Sequence, residues 1–148
     1  MTQHDILTTR PLSPGDFDAW FPLWNQYLGL NGAKMRWPDR KALFEKLADQ
    51  QENSAAVVVE CNGKMVGIAH YQIRLSAFVF ESAYLVQDVF ILPEYQSHRA
   101  GAHLMRAVYQ AAHQNGAPAV YWLAAENTYR PEAAAAATSP FLQFRKAA

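Results

Sequence analysis

The sequence is poor in cysteine and has no excess of charge of either sign. Its one cysteine, Cys61, excludes an internal disulfide, and its place in the run AAVVVEC is typical of a small strand residue rather than of a nucleophile. The 13 Lys and Arg residues balance 13 Asp and Glu residues. Nothing therefore indicates the basic surplus that proteins binding nucleic acid usually carry.

Long hydrophobic runs are also lacking. No run approaches the roughly 18 apolar residues of a membrane-spanning helix. The first residues, MTQHDILTTRPL, do not place a basic region before an apolar block, so they do not read as a signal peptide. We therefore expect a cytoplasmic protein without a membrane partner. We also expect no metal site, because the histidines His70, His98, His103 and His113 show no metal-ligand spacing with any cysteine or carboxylate pair.

What the chain does contain is enough apolar material for a core. It has 148 residues, of which 51% are hydrophobic and 13% aromatic. That length and composition predict one domain spanning residues 1–148.

The pattern of elements predicts an α/β protein. Residues 6–12 read as a strand, and Ser13 then opens a helix with the capping pattern S-x-x-D. Pro22 should bend or divide that helix. A second helix over about 38–51 is followed by a hairpin turning at Asn62-Gly63. A strand SAYLVQDVFIL, a helix over about 101–114, a strand PAVYWLAAE, a weak helix and a final strand FLQFRK complete the chain. The strands on either side of the 101–114 helix should be parallel neighbours in a mixed sheet.

A six-residue loop, QSHRAG at 96–101, separates the apolar strand from that helix. The N-terminus of a helix after a strand and a turn is a ready anion site. Two known phosphate loops are excluded, because neither G-x-x-x-x-G-K-[ST] nor G-x-G-x-x-G occurs.

The segment YLVQDVFILPEYQSHRAGAHLMRAVYQAAHQNGAPAVYWLAAEN, together with the element order, resembles the GNAT superfamily of N-acetyltransferases. The resemblance implies a single-domain GNAT-like fold, with a twisted mixed sheet of six or seven strands flanked by helices. The family's [QR]-x-x-G-x-[GA] loop falls on Gln96, Arg99 and Gly101. The patterns W-x-x-L-W-x-x-Y-L and Y-L-x-x-D are similar to those of the diamine (spermidine/spermine) acetyltransferase-like branch.

The resemblance also assigns a site for acetyl-CoA. It implies that backbone N–H groups of one strand segment hold the acyl oxygen and the pantetheine, that the loop amides hold the pyrophosphate, and that an Asn contacts the pantetheine. These cofactor-binding positions are Val89, Phe90, Ile91, Gln96, Ser97, His98, Arg99, Ala100, Gly101, Ala102 and Asn127. A purely structural reading, as core strand and turn residues, remains open for each.

Two positions depart from the family pattern. Arg99 stands at the first glycine of the loop, which costs little if φ is negative and more if φ must be positive. Its guanidinium could instead pair with a phosphate. The run Ala133–Ala137 stands where the family has a helix with a Tyr that protonates the leaving thiolate. Tyr129 is the nearest phenol and is our candidate general acid.

Asp88 is the first candidate for handling the amine. It lies in an otherwise apolar strand, where a carboxylate is costly unless it is hydrogen-bonded or solvated in a cleft. The neighbouring Gln87 stands where the diamine acetyltransferases have a glutamate base, and an amide cannot act as one. Glu126 is the second carboxylate candidate, with a solvated strand end as its alternative. By the resemblance, Trp24, Tyr27 and Trp37 wall the acceptor pocket, although such aromatic residues are more often core.

Two functions remain after this reading. The first is an acyltransferase that moves an acetyl group from acetyl-CoA to a primary amine of a small molecule, by direct attack in a ternary complex. The resemblance also suggests a homodimer. The second is a degenerate GNAT-fold domain with a ligand-binding or assembly role and no catalysis.

Overall fold

The computed structural model describes residues 5–76, 81–96, 99–117, 119–125 and 141–147. Its main elements are β1 (Leu7–Pro11), α1 (Phe17–Leu30), α2 (Trp37–Ala48), β2 (Ser54–Cys61), β3 (Lys64–Ser76), β4 (Glu81–Ile91), α3 (Ala100–Gln114), β5 (Ala119–Ala125) and β6 (Phe141–Ala147). The predicted order of strands and helices is confirmed for these ranges. The weak helix predicted between β5 and β6 lies outside the described residues.

The six described strands form one mixed sheet in the order β1-β2-β3-β4-β5-β6. Every neighbouring pair is antiparallel except β4 and β5, which are parallel and joined through α3. This confirms the predicted strand–helix–strand unit and the six-stranded alternative of the predicted sheet. Within the described ranges, no helix combines the length and the apolarity that crossing a membrane requires.

Helix α1 begins after a short 3-10 turn whose polar groups are satisfied locally. The Asp16 carboxylate accepts a 2.8 Å hydrogen bond from the Ser13 backbone N–H, as the capping pattern predicts. It also accepts bonds of 2.7 and 2.9 Å from the Arg10 guanidinium, and this pairing lowers the pKa of Asp16. Pro22 lies inside α1 without dividing it, because the helix continues to Leu30.

The hairpin between β2 and β3 turns where the sequence predicts it. Asn62 and Gly63 both have positive φ, 53° and 85°. Positive φ at two central residues is the geometry that Asn-Gly favours, and it matches the twist of the paired strands.

The helices cover both faces of the sheet. Helix α1 packs on one face, where Trp20 contacts His70 of β3. Helix α3 packs on the other face, where the Tyr84 hydroxyl of β4 contacts the Ala111 carbonyl and accepts from the Asn115 amide. Burial on both faces explains why the central strands are almost continuously apolar.

Gly67 of β3 shows how tightly the sheet is packed beside β4. A Cβ at Gly67 would collide with the Ile91 side chain and would lie 2.7 Å from Val59 Cγ1 and 3.3 Å from the Phe90 carbonyl oxygen. Only a residue without a side chain fits between these groups.

We therefore predict that Gly67→Ala lowers the free energy of unfolding by about 1–3 kcal/mol, through overpacking. Chemical denaturation measures the loss. Gly29→Ala is the matched control, because a Cβ there meets no atom within 4 Å. That control should be neutral or gain up to about 1 kcal/mol from helix propensity. Equal stabilities for the two variants would contradict the packing described.

Candidate active site

The site starts from a β-bulge in the pairing of β3 with β4. His70 lies opposite Asp88 and Tyr71 lies opposite Val86, so Gln87 is an extra residue. Alternation places residues of even separation on one face of a regular strand. Tyr84 faces α3, and Asp88 four residues later would face it too. The extra residue reverses the alternation and turns Asp88 towards α1.

Asp88 is half-buried among groups that can hydrogen-bond to it. Its Oδ2 lies 3.2 Å from Nδ1 of His70, and the Tyr27 hydroxyl of α1 also hydrogen-bonds to the carboxylate. The side chain keeps 26% of its surface exposed. A carboxylate has about four acceptor positions, so capacity remains for a further donor arriving from solvent.

Tyr27 acts here as a neutral donor. Burial raises the pKa of its phenol, and the negative charge of Asp88 and the hydrogen bond to it raise that pKa further. Tyr27 therefore keeps its proton at neutral pH and shares it with Asp88.

Aromatic rings wall the space around this carboxylate. Trp24 stacks on Tyr27 with ring centroids 5.4 Å apart, and it approaches the His70 ring to 5.0 Å. Tyr27 meets Phe90 edge-on at 6.2 Å. The structure thus brings Trp24 and Tyr27 to Asp88. Trp37 lies at the start of α2, is 54% exposed, and has its ring contacts with Phe17 and Lys41.

A gap between β4 and β5 begins at the bulge. The two strands pair only from Ala83 with Ala119 to Val86 with Trp122, although β4 runs on to Ile91. Among the described residues, the second half of β4 is therefore unpaired on its β5 side. This is the splayed arrangement in which a linear chain can lie along a strand.

The free edge of β4 carries hydrogen-bonding groups in a known direction. The Leu92 N–H bonds to the Val66 carbonyl of β3, and the Phe90 carbonyl faces Gly67 of β3. Since backbone groups alternate sides along a strand, the N–H groups of Val89 and Ile91 point into the gap. These are donors of the kind that pantetheine amides and a thioester oxygen require.

The loop after β4 leads directly to the N-terminus of α3. The Gln96 amide donates a 3.0 Å hydrogen bond to the Ile91 carbonyl, which ties the loop to the strand. At this end of α3 the His103 N–H donates a 2.9 Å hydrogen bond to the Arg99 carbonyl. The N–H groups of Ala100, Gly101 and Ala102 precede it and have no partner within the helix. Among the described residues, a Cβ at Gly101 would meet nothing within 4 Å, so they leave this helix end open on that side. The residues present therefore fit a diphosphate.

The structure gives the sign of φ at Arg99, which the sequence does not determine. Arg99 is the N-cap of α3, with φ 47° and ψ 0°, in the left-handed region. Arginine therefore occupies a conformation that favours glycine, at a cost of order 1–2 kcal/mol. Its side chain is exposed beside the open helix end, where a guanidinium can reach an anion.

Five of the predicted site residues lie outside the residues whose structure is described: Ser97, His98, Glu126, Asn127 and Tyr129. Their roles stay predictions.

His70 is the site residue that sequence reasoning missed. In the sequence its spacing argues only against a metal site, whereas the structure pairs it with Asp88 across two strands. A lone polar residue in the apolar run GIAHY was the available signal. The bulge that brings it opposite Asp88 could not be inferred from the sequence.

Comparison with known proteins agrees with this geometry. The model of the acetyltransferase (GNAT) family matches residues 17–137. A D-amino-acid N-acetyltransferase of Saccharomyces cerevisiae is 25% identical over 131 residues, covering 87% of this chain and 81% of the relative. A ribosomal-protein-alanine N-acetyltransferase from Brucella melitensis superimposes with a TM-score of 0.75 at 19% identity, covering 90% of this chain and 96% of the other. The PaiA N-acetyltransferase from Thermoplasma acidophilum, solved with coenzyme A, gives 0.70 at 13% identity, covering 97% and 99%.

The fold and the family match together define an enzyme of the N-acetyltransferase class. The chain belongs to the acetyltransferase (GNAT) family. The predictions of a GNAT fold, of an N-acetyltransferase and of acetyl-CoA as its cosubstrate are confirmed at this level. The diamine branch stays a prediction, because the matches do not single it out.

The conformation of Arg99 generates a paired prediction. Arg99→Gly should raise the free energy of unfolding without ligand by up to about 1 kcal/mol, because glycine tolerates positive φ. Arg99→Ala removes the charge but keeps the strained backbone. It should weaken coenzyme A binding by about tenfold and reduce the salt dependence of that binding. Calorimetry at two ionic strengths measures both effects. If Arg99→Gly binds coenzyme A more tightly than the unmodified chain does, Arg99 obstructs the loop instead of serving it.

The open helix end generates a second prediction, at Gly101. Gly101→Trp should lower coenzyme A affinity at least about tenfold, because the indole fills the space over the helix N-terminus. Gly101→Ala should leave folding intact and add up to about 1 kcal/mol of stability without ligand. Titration calorimetry with coenzyme A compares the two. Unchanged affinity in Gly101→Trp would mean that the diphosphate lies elsewhere.

Proposed function

We propose that this chain transfers the acetyl group of acetyl-CoA to a primary amine of a small molecule, by direct attack in a ternary complex with Asp88 receiving the amine. One observation carries the proposal: a partly exposed carboxylate stands inside an aromatic wall, beside a strand edge whose N–H groups point into a gap. The aromatic wall around Asp88 offers space for the acceptor amine, and the gap beside β4 offers space for the thioester. The two reactants would then lie next to each other.

The chemistry of the pocket supports a cationic acceptor. Primary amines are largely protonated at neutral pH, and a carboxylate between aromatic faces attracts such a cation. The name of the Saccharomyces cerevisiae relative agrees in one respect, since a D-amino acid offers a primary amine. The open side of Asp88 gives such an amine a hydrogen-bond acceptor.

The reaction then proceeds by proton transfer and bond exchange. Asp88 accepts a proton from the ammonium group, directly or through a water molecule, and so frees the nitrogen lone pair. The nitrogen attacks the thioester carbonyl carbon and a C–N bond forms. The carbonyl oxygen is stabilised by backbone N–H groups of the β4 edge, for which Val89 and Ile91 are in position. The attacking nitrogen still carries one proton more than the amide product, and it releases that proton to water as the amide forms. The C–S bond breaks, and the leaving thiolate takes up a proton.

The source of that last proton belongs to the part of the chain after β5. We assign it to Tyr129, and we keep Glu126 as a second carboxylate for the amine. Both assignments come from the sequence alone. Asp88 is the assignment that rests on structural contacts.

The strained conformation of Arg99 is the observation that favours the non-catalytic alternative. A phosphate loop that no longer suits its ligand could belong to a domain that binds without turning over. The two functions differ in what Asp88 does, because a ligand-binding domain has no need of a base at this point.

We expect Asp88→Asn to lower kcat at least about a hundredfold, as removal of a general base usually does. The KM for acetyl-CoA should stay within about threefold, because the diphosphate lies at the other end of the gap. The assay follows thiol release with a panel of D-amino acids, polyamines and an aminoglycoside.

Asp49→Asn, at an exposed position after α2, is the matched control and should keep full activity. A rate for Asp88→Asn close to that of the unmodified chain would remove Asp88 from the chemistry. Absence of acetyl transfer to every amine, with coenzyme A still bound, would favour the non-catalytic alternative.

A further inference from the structure

His70 is the most deeply buried polar group near the site, and the reaction as described does not use it. It is 2% exposed, and it lies between Trp20 of α1 and Asp88 of β4. Burying an imidazole is costly unless both ring nitrogens find partners, and here both do.

The partner on one side determines where the proton sits. The Trp20 indole N–H donates to Nε2 of His70 across 3.1 Å. An indole nitrogen is a donor and never an acceptor, so Nε2 must carry the lone pair. A neutral imidazole with its lone pair on Nε2 has its proton on Nδ1. That proton points at Asp88 Oδ2, 3.2 Å away.

The same contact excludes a role for His70 as a proton shuttle. A proton passed to His70 would have to leave from Nε2, but Nε2 faces an indole N–H that cannot accept it. Trp20 is itself fully buried, with 0% exposure. Protons taken up by Asp88 must therefore leave through the exposed side of Asp88, where solvent or substrate arrives.

We propose that His70, held in its Nδ1–H form by Trp20, is a positioning residue that fixes the Asp88 carboxylate for the incoming amine. This inference rests on the proposed function of Asp88. The N–H donor binds one oxygen of the carboxylate, so the remaining acceptor positions face the cleft. Tyr27 is the other titratable group in contact with Asp88, and its high pKa keeps it a donor as well. The hydrogen bonds from His70 and Tyr27 therefore hold the Asp88 carboxylate in one orientation.

Three substitutions separate the parts of this arrangement. His70→Leu fills much of the volume and removes the donor. His70→Asn places an amide N–H two bonds from Cβ, where Nδ1 stands in histidine. Trp20→Phe keeps an aromatic ring and removes the N–H that fixes the tautomer. Thermal unfolding checks that each variant is folded at the assay temperature.

Kinetics with the best amine of the panel give the first readout. We expect His70→Leu to lower kcat at least about tenfold with the KM for acetyl-CoA within about twofold, and His70→Asn to recover at least about threefold of that loss. In an Asp88→Asn background, His70→Leu should cost no more than about twofold, because a residue acting through Asp88 has nothing left to position. Equal losses in the two backgrounds, or no recovery in His70→Asn, would show a merely structural role.

The tautomer provides a second readout, which needs no acceptor and whose decisive measurement is made on the unmodified chain. Nitrogen-15 spectra of the imidazole distinguish a protonated from an unprotonated ring nitrogen. We expect Nδ1–H and bare Nε2 in the unmodified chain, and a mixture of tautomers in Trp20→Phe. Bare Nδ1 in the unmodified chain overturns the inference.

The outcomes also separate this inference from the proposed function. If Asp88→Asn is fully active, the role of Asp88 fails and the inference fails with it. If Asp88→Asn is inactive while His70→Leu keeps its kcat, the proposed function stands and only the role of His70 is lost.

Discussion

The extra residue at Gln87 is the constraint on which the rest of the site depends. One residue more on β4 than on β3 reverses the alternation of side chains, so Asp88 turns from the α3 face to the α1 face. Pairing of β4 with β5 ends at Val86, immediately before the extra residue. A bulge distorts its strand, and the described pairing of β4 with β5 stops at this point. The same local irregularity thus presents a carboxylate and opens a strand edge next to it.

Helix α1 supplies aromatic hydrogen-bond donors to the two residues that the bulge brings together. Two side chains of α1 contact the paired residues His70 and Asp88. The Trp20 indole N–H donates to His70, and the Tyr27 phenol hydrogen-bonds to Asp88. Their apolar bodies belong to the core, and their polar ends reach the site. The packing of α1 in the core and the hydrogen bonds to His70 and Asp88 are therefore coupled, because a shift of α1 on the sheet would disturb both.

Much of the fold could be predicted from the sequence because its signals are local. The Asn-Gly turn, the Ser13 capping pattern and the apolar runs each depend on residues close together in the chain, and the structure confirms them. The bulge depends on how β3 and β4 align, which pairs residues as far apart in the chain as His70 and Asp88, and no local pattern encodes it. For that reason Asp88 could be singled out as an unusual strand carboxylate, whereas its pairing with His70 could not.

The loop shows the same limit in another form. The loop motif shows that Arg99 replaces a glycine. The free-energy cost of that replacement depends on the sign of φ at Arg99, and residue type alone does not give that sign. The left-handed conformation in the structure settles the sign. Gly67 is the reverse case: its sequence context is unremarkable, and only the packing of Val59 and Ile91 shows why no side chain fits.

The stacked rings of α1 give the site an optical property. Trp20 and Trp24 lie 5.8 Å apart, nearly parallel, and both stand beside His70. Indole emission responds to nearby charge and to hydrogen bonding at its nitrogen. If an amine binds at Asp88 as proposed, its charge changes the electric field at these two rings, and no attached dye is needed. Intrinsic fluorescence can therefore follow occupancy of the acceptor compartment, separately from the thiol that reports turnover.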